Sequence, residues 1–242
     1  MRTGDIKTPA LIADSKILEA NISTMASRRP GKSLRPHIKA FKSTELAKKL
    51  VQAGHETFCC ATIRELEGMV DAGMGTDLLL ANETLDTTRL KNLLLKENCR
   101  ITVAVDSKET IAVAAAAGIQ EVLIDINVGL PRCGCSPEDA GFLADQARKS
   151  GLEIRGVMGY EGHLMHDPDT LRRTTKTEES MEILISAHET VGGDIISGGG
   201  TGTWDCNQAV TELQAGSYVL MDGDYSKLDL PFKEGLLLLT TV

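Results

Sequence analysis

Short apolar, β-branched runs recur along this chain at intervals that leave room for one helix between neighbours, and no other feature limits its fold as tightly. The runs occupy 34–38, 57–60, 77–81, 101–105, 121–126, 152–158, 194–197 and 213–220, eight candidate strands in all. Helical spacing of apolar residues marks intervening segments such as 43–53 (STELAKKLVQA), 62–72, 107–117 and 136–149. Ser43, Thr62, Ser107 and Ser136 stand where N-caps belong, with Glu45 and Glu65 in the first turn, and Gly54, Gly73, Gly118 and Gly151 stand where helices close. Eight βα units in this length predict an α/β fold of the (β/α)8 TIM barrel kind, with an open doubly wound sheet as the alternative.

The two ends stand outside that repeat. Residues 9–13 (PALIA) predict a short extra strand, followed by a helix over 15–26. The chain finishes in GLLLLTTV, 235–242, an apolar strand-like run with no successor to pair with. The expected division is therefore a barrel over 1–234 and the truncated start of a C-terminal β domain over 235–242.

Composition narrows the partners. Lys and Arg total 26 against 34 Asp and Glu, a formal charge of −8, with aromatics at only 3% and no basic stripe for nucleic acid. There is no apolar signal core at the N-terminus and no run of membrane-spanning length, so a cytoplasmic protein with a small-molecule partner is expected. The six cysteines lack paired zinc spacing and disulfide density, and they read as reduced thiols, with Cys59 and Cys60 in a buried strand.

In a parallel barrel the active site is built at the C-terminal ends of the strands. The residues falling there are Lys39, Asn82, Asp106, Asp125, Arg132, Tyr160, His163, the run 198–203 and 216–218. A lysine at position 39 with its amine in the mouth is a candidate nucleophile toward a carbonyl; Lys42 is its rival in the same segment. SGGGTGT, 197–203, and Gly216-Ser217 follow the last two strands, where barrels commonly seat phosphate on backbone amides and hydroxyls. Arg132 offers a permanent cation, either to a ligand oxygen or nitrogen or to a rim salt bridge. His163 could stack on a ring or exchange protons, and the spacing to His166 leaves a metal pair as a weaker reading.

Taken together, RPHIKAFKST, CCATIREL, DLLLANE, GYEGHLM, SGGGTGTWD and TELQAGSYVLMD resemble the D-threonine aldolase and D-serine dehydratase family, relatives of alanine racemase with a fold-type III pyridoxal-phosphate barrel. The resemblance implies that Lys39 carries pyridoxal 5'-phosphate as a Schiff base and that Arg132 lies near the cofactor's phenolic oxygen. It places His163 against the pyridine ring, as a second catalytic group, with Tyr160 in the same cofactor-facing segment. Thr201, Gly202, Gly216 and Ser217 would hold the phosphate, with Tyr218 close to it. Where the family usually has a second histidine, in PHxKxHK, this chain has Phe41.

The activity implied is cleavage of a β-hydroxy-D-amino acid to glycine and an aldehyde. Dehydration of D-serine, racemisation, and non-catalytic cofactor carriage of the homeostasis type are the alternatives. A divalent metal is expected only through the C-terminal β domain of two-domain relatives, not from residues of this chain. A homodimer is expected of the full-length protein.

Overall fold

A computed structural model describes residues 3–96 and 99–241. Val242, the last residue of the terminal apolar run, lies outside them. Seven parallel strands follow one another in sequence order: β2 (Phe58–Cys60), β3 (Leu78–Leu80), β4 (Ile101–Val105), β5 (Glu121–Asp125), β6 (Glu153–Gly159), β7 (Ile195–Gly198) and β8 (Glu212–Leu213). The segment 34–37 closes the sheet on itself. It bridges Leu34 to Leu213 on β8 and His37 to Cys59 on β2, both in parallel, and its amides at Arg35 and His37 donate to Leu213 and Ala215. This is the first strand of the expected eight. Its pairing with β2 is cut short because Pro36, whose carbonyl accepts the Cys59 N–H, has no N–H of its own to give on that side.

The eighth expected strand is much shorter than 213–220. After Leu213 the chain keeps one more bond to β7, from Gln214 N–H to Gly198 O, and then turns into a 3₁₀ helix, Ser217–Val219. The apolar residues at 218–220 reflect burial rather than strand: Tyr218 and Val219 pack against the core as a turn.

Helices α2 (Thr44–Gln52), α3 (Ile63–Asp71) and α5 (Lys108–Ala117) begin after Ser43, Thr62 and Ser107, whose side chains accept backbone N–H groups of the first turn. The expected cap at Ser136 is not one. That residue precedes a 3₁₀ turn, Pro137–Asp139, and its hydroxyl donates to Asp139 before α6 (Ala140–Lys149) starts. Gly54, Gly73, Gly118 and Gly151 all take positive φ after their helices. Three more helices complete the outer ring: α1 (Ser15–Arg28), α4 (Thr87–Leu94) and α7 (Thr170–Val191).

The barrel interior is filled in layers. At the N-terminal end lies a charged layer in which Arg35 bonds Asp77 at 3.0 Å and Glu212 at 2.8 Å, while Arg155 bonds Asp77 at 3.0 Å and the Thr102 hydroxyl at 2.7 Å. Above it sits an apolar layer of Cys59, Leu79, Ala104, Leu123 and Met158, one from each of β2 to β6. Alternate residues of the same strands, among them Cys60, Leu80 and Val105, face outward into the larger core under the helices. The lower two layers plug the barrel, so the space left for a ligand is at its C-terminal mouth.

The terminal run does find a partner. Strand β9 (Leu236–Leu239) pairs antiparallel with β1 (Ala10–Ala13), matching Ala10 to Leu239 and Ala13 to Leu236, which corrects the expectation of an unpaired end. Leu237 and Leu238 nonetheless stay exposed, at 56% and 65%. All six cysteines are free thiols, and both Cys59 and Cys60 are fully buried.

Candidate active site

The mouth holds a cavity. Its lining brings together Lys39, Arg132, Tyr160, Thr201, Gly216 and Ser217 of the residues expected from sequence. Added to them are His37, Gln214 and Tyr225, together with Gly199 and Gly200.

Lys39 sits in a one-turn 3₁₀ helix, Ile38–Ala40, that ends the 34–37 segment, and the His37 ring accepts its backbone N–H through Nδ1 at 3.5 Å. Its amine lies 5.1 Å from the centroid of the Tyr160 ring. Although the side chain is exposed at the mouth, dense surrounding protein lowers its pKa, and the charge of Arg132 pushes the same way. The rival Lys42 is removed from the cavity: its backbone is left-handed, with φ of 45°, and its amine is held by Glu65 at 2.5 Å.

Arg132 approaches the same aromatic ring, its guanidinium carbon 5.5 Å from the Tyr160 centroid. Tyr160 has its pKa raised by burial and by the neighbouring Glu161 charge. His37 is buried, and desolvation together with the Lys39 charge holds its pKa well below the usual imidazole value, so the ring is neutral. Its position inside the PHIK segment is the signal available in the sequence.

The two glycine-hydroxyl loops meet. The Tyr218 backbone N–H donates to Thr201 Oγ1 at 3.0 Å, which ties the loop after β7 to the turn after β8 and leaves the Thr201 O–H free to donate elsewhere. Close approach explains the glycines: a Cβ on Gly216 would stand 2.2 Å from the His37 carbonyl oxygen, and one on Gly200 would stand 2.6 Å from Met165 Sδ. This donor set fits a phosphorylated aldehyde. It offers an amine of lowered pKa and a guanidinium beside an aromatic ring, with small residues and neutral hydroxyls along the rest of the wall.

Other expected residues lie elsewhere. His163 is exposed on the 3₁₀ turn Gly162–Leu164, against Gly129, and does not line the cavity. Gly202 packs on the Met165 backbone, where a Cβ would meet its carbonyl oxygen at 2.1 Å. Tyr218 is fully buried against Phe232, with its hydroxyl unpartnered. Asn82 donates to Ala61 O, and Asp106 accepts from Gly134 N–H. Asp125 is buried beside Glu83 and Cys133, three potential donor atoms within 4.8 Å of one another, and burial and the Glu83 carboxylate hold its carboxyl well above the ordinary range. No helix among the described residues is long and apolar enough to cross a membrane.

Fold and mouth together define a parallel α/β barrel in which a cavity-facing lysine looks onto two joined, glycine-rich loops. The chain belongs to the family described as alanine racemase, N-terminal domain, whose model matches residues 13–222. It is 33% identical to a D-threonine aldolase of an Arthrobacter species, over 98% of this chain and 68% of that protein. It is 29% identical to a 3-hydroxy-D-aspartate aldolase of Paracoccus denitrificans, over 94% of this chain and 64% of the relative, so the chain spans about two thirds of the length of these relatives. The crystal structure of D-threonine aldolase from Filomicrobium marinum superposes with a TM-score of 0.89 at 32% identity, covering 97% of this chain and 69% of that one.

Proposed function

We propose that this chain is the cofactor-bearing barrel of a pyridoxal-phosphate-dependent lyase that cleaves β-hydroxy-D-amino acids to glycine and an aldehyde. The observation that carries the reading is the placement of Lys39. Its amine opens into the cavity beside Tyr160 and Arg132, in surroundings that favour the neutral, nucleophilic form. The names of the aldolases it resembles support the choice of reaction.

Pyridoxal phosphate, when bound, supplies an electron sink for the pair released as a bond at the amino acid's α carbon breaks. The chain's own residues do the rest. Lys39 binds the cofactor through its amine, and Arg132 presents donors to its oxygen atoms or to the substrate carboxylate. Thr201, Ser217 and the backbone at Gly216 receive the phosphate, and their joining through Tyr218 N–H fixes both halves of that seat at once. Neutral His37, packed below Lys39, keeps a second positive charge away from the amine. Phe41, where the family usually has a histidine, leaves the lysine itself in place.

The test is chemical trapping. The protein is incubated with pyridoxal phosphate, reduced with borohydride and digested, and the modified peptide is identified. The reading expects the label on Lys39, its loss in Lys39→Ala, and release of glycine from D-threonine by the unreduced protein. Label on surface lysines alone would overturn it.

A further inference from the structure

Glu161 has no accessible surface. A carboxylate taken out of water must be met by donors, and this one is met by three. The Gly199 N–H donates to Oε2 at 3.1 Å, and the Thr203 hydroxyl and the Asn207 amide donate to Oε1 at 2.7 and 2.9 Å. A fourth tie runs through Thr203, whose oxygen accepts the Gly200 N–H at 3.3 Å while its hydrogen goes to Glu161. The backbone amides of Gly199 and Gly200 are therefore both committed to Glu161, one directly and one by relay. Both glycines line the cavity, as does Thr201, which follows them.

Close packing limits where the loop can go. Gly199 takes a φ of 77°, which glycine adopts readily, and a Cβ there would stand 2.4 Å from Leu213 Cδ1, so the loop lies pressed against β8, and the bonds to a buried carboxylate anchor it there. Glu161 follows Tyr160 directly and supplies that anchor from the end of β6. Neither the binding of an amine nor the breaking of a bond at an α carbon uses its charge.

We propose that Glu161 is a positioning residue that sets the affinity of the site for the cofactor's phosphate, by drawing the Gly199 and Gly200 amides onto itself and thereby presenting Thr201 to the anion. The inference rests on the pyridoxal-phosphate reading above. It predicts a dependence on the phosphate group specifically. A Glu161→Gln side chain must turn its NH2 toward donors on one side or the other, so one of the ties to Gly199, Thr203 or Asn207 is replaced by a donor facing a donor.

The experiment compares equilibrium binding of pyridoxal 5'-phosphate with that of pyridoxal, followed by absorbance, in wild type, Glu161→Gln, Thr203→Val and Thr203→Ser. Wild type should prefer the phosphorylated compound. Glu161→Gln and Thr203→Val should lose about tenfold or more of that preference, the worth of a hydrogen bond to a charged group, with pyridoxal affinity little changed. Thr203→Ser, which keeps the hydroxyl, should retain it. If Glu161→Gln does not fold, the Thr203 pair carries the same test. Equal weakening toward both compounds, or a Thr203→Val protein with the wild-type preference, would overturn the proposal while leaving the cofactor reading in place. A wild-type protein that binds neither compound would overturn the cofactor reading itself, and this inference with it.

Discussion

The amine of Lys39 stands 5.1 Å from the centre of the Tyr160 ring, and Arg132 shares that ring from 5.5 Å. Desolvation of Lys39 lowers its pKa, and the repulsion between two cations gathered at one aromatic ring adds to that effect. The neutral amine is thereby favoured. Borohydride-trapped labelling of Lys39 by pyridoxal should rise with pH to a midpoint below the ordinary lysine value of 10.5. Arg132→Gln removes one of the two causes, so its midpoint should move upward. Peptide mapping across a pH series checks both, and a wild-type midpoint at or above the ordinary value would refute the argument.

At the opposite end of the barrel the electrostatics run the other way. Burial raises the pKa of Asp77, but hydrogen bonds and charge from Arg155 and Arg35 outweigh it and bring the carboxyl down from 3.8 to about 2. A folded-state pKa below the unfolded one stabilises the fold above the unfolded value, and that stabilisation is lost as pH falls from about 4 toward 2. The contribution is about 2 kcal/mol, at roughly 1.4 kcal/mol per unit. Asp77→Asn should cost about 3 kcal/mol at pH 6, because it leaves the buried guanidinium of Arg35 and the half-buried one of Arg155 short of a partner. Urea unfolding should show the gap between variant and wild type closing below pH 4; a gap independent of pH would refute it.

How far the sequence speaks for the fold depends on what each residue meets. Ser43, Thr62 and Ser107 act on their own first turns, so their roles are local and readable. Ser136 fails as a cap because Pro137 and Asp139 build a tighter turn first. The pairing of 236–239 with 10–13 joins residues more than 220 positions apart, and no local pattern encodes it. The site divides in the same way. Lys39, Arg132, Tyr160, Thr201, Gly216 and Ser217 sit where strand ends place them. Gln214 lines the cavity one residue past the end of β8, inside what reads as a strand running on to 220, and Tyr225 lines it from a later 3₁₀ turn, Tyr225–Lys227, that no strand end marks. Glu161 escapes a reading of the sequence because a buried acid looks like any other until its three donors are known.

Tyr218 gives a sharper case, since its sequence neighbours place it at the phosphate and its side chain lies in the core. The hydroxyl is buried without a partner, and desolvation raises its pKa. An unmet buried hydroxyl costs about 1–3 kcal/mol. Tyr218→Phe should therefore leave thermal stability unchanged or raise it by about 1 kcal/mol, and pyridoxal phosphate binding should be unaffected, because the contact to Thr201 is made by the backbone. A melting curve and a binding isotherm decide. A substantial loss of phosphate affinity would mean that the hydroxyl reaches the ligand.

Gly216 tests the seam where the barrel closes. Its φ is −137°, open to any residue, so space and not conformational freedom demands glycine there. A methyl group would stand 2.2 Å from the carbonyl oxygen of His37, backbone that cannot swing aside, in the same stretch where His37 N–H bonds Ala215 O at 3.1 Å. Relieving the overlap means parting segment 34–37 from β8 and shifting Lys39 with it. Gly216→Ala should destabilise the protein by about 2–3 kcal/mol and weaken trapping at Lys39. Gly68 is the internal comparison: it lies exposed on α3 with open space where a methyl group would go, so Gly68→Ala should stabilise by about 0.5–1 kcal/mol. Chemical unfolding of the two variants reads the difference directly, and a Gly216→Ala protein as stable as wild type would show that the seam yields more easily than its geometry implies.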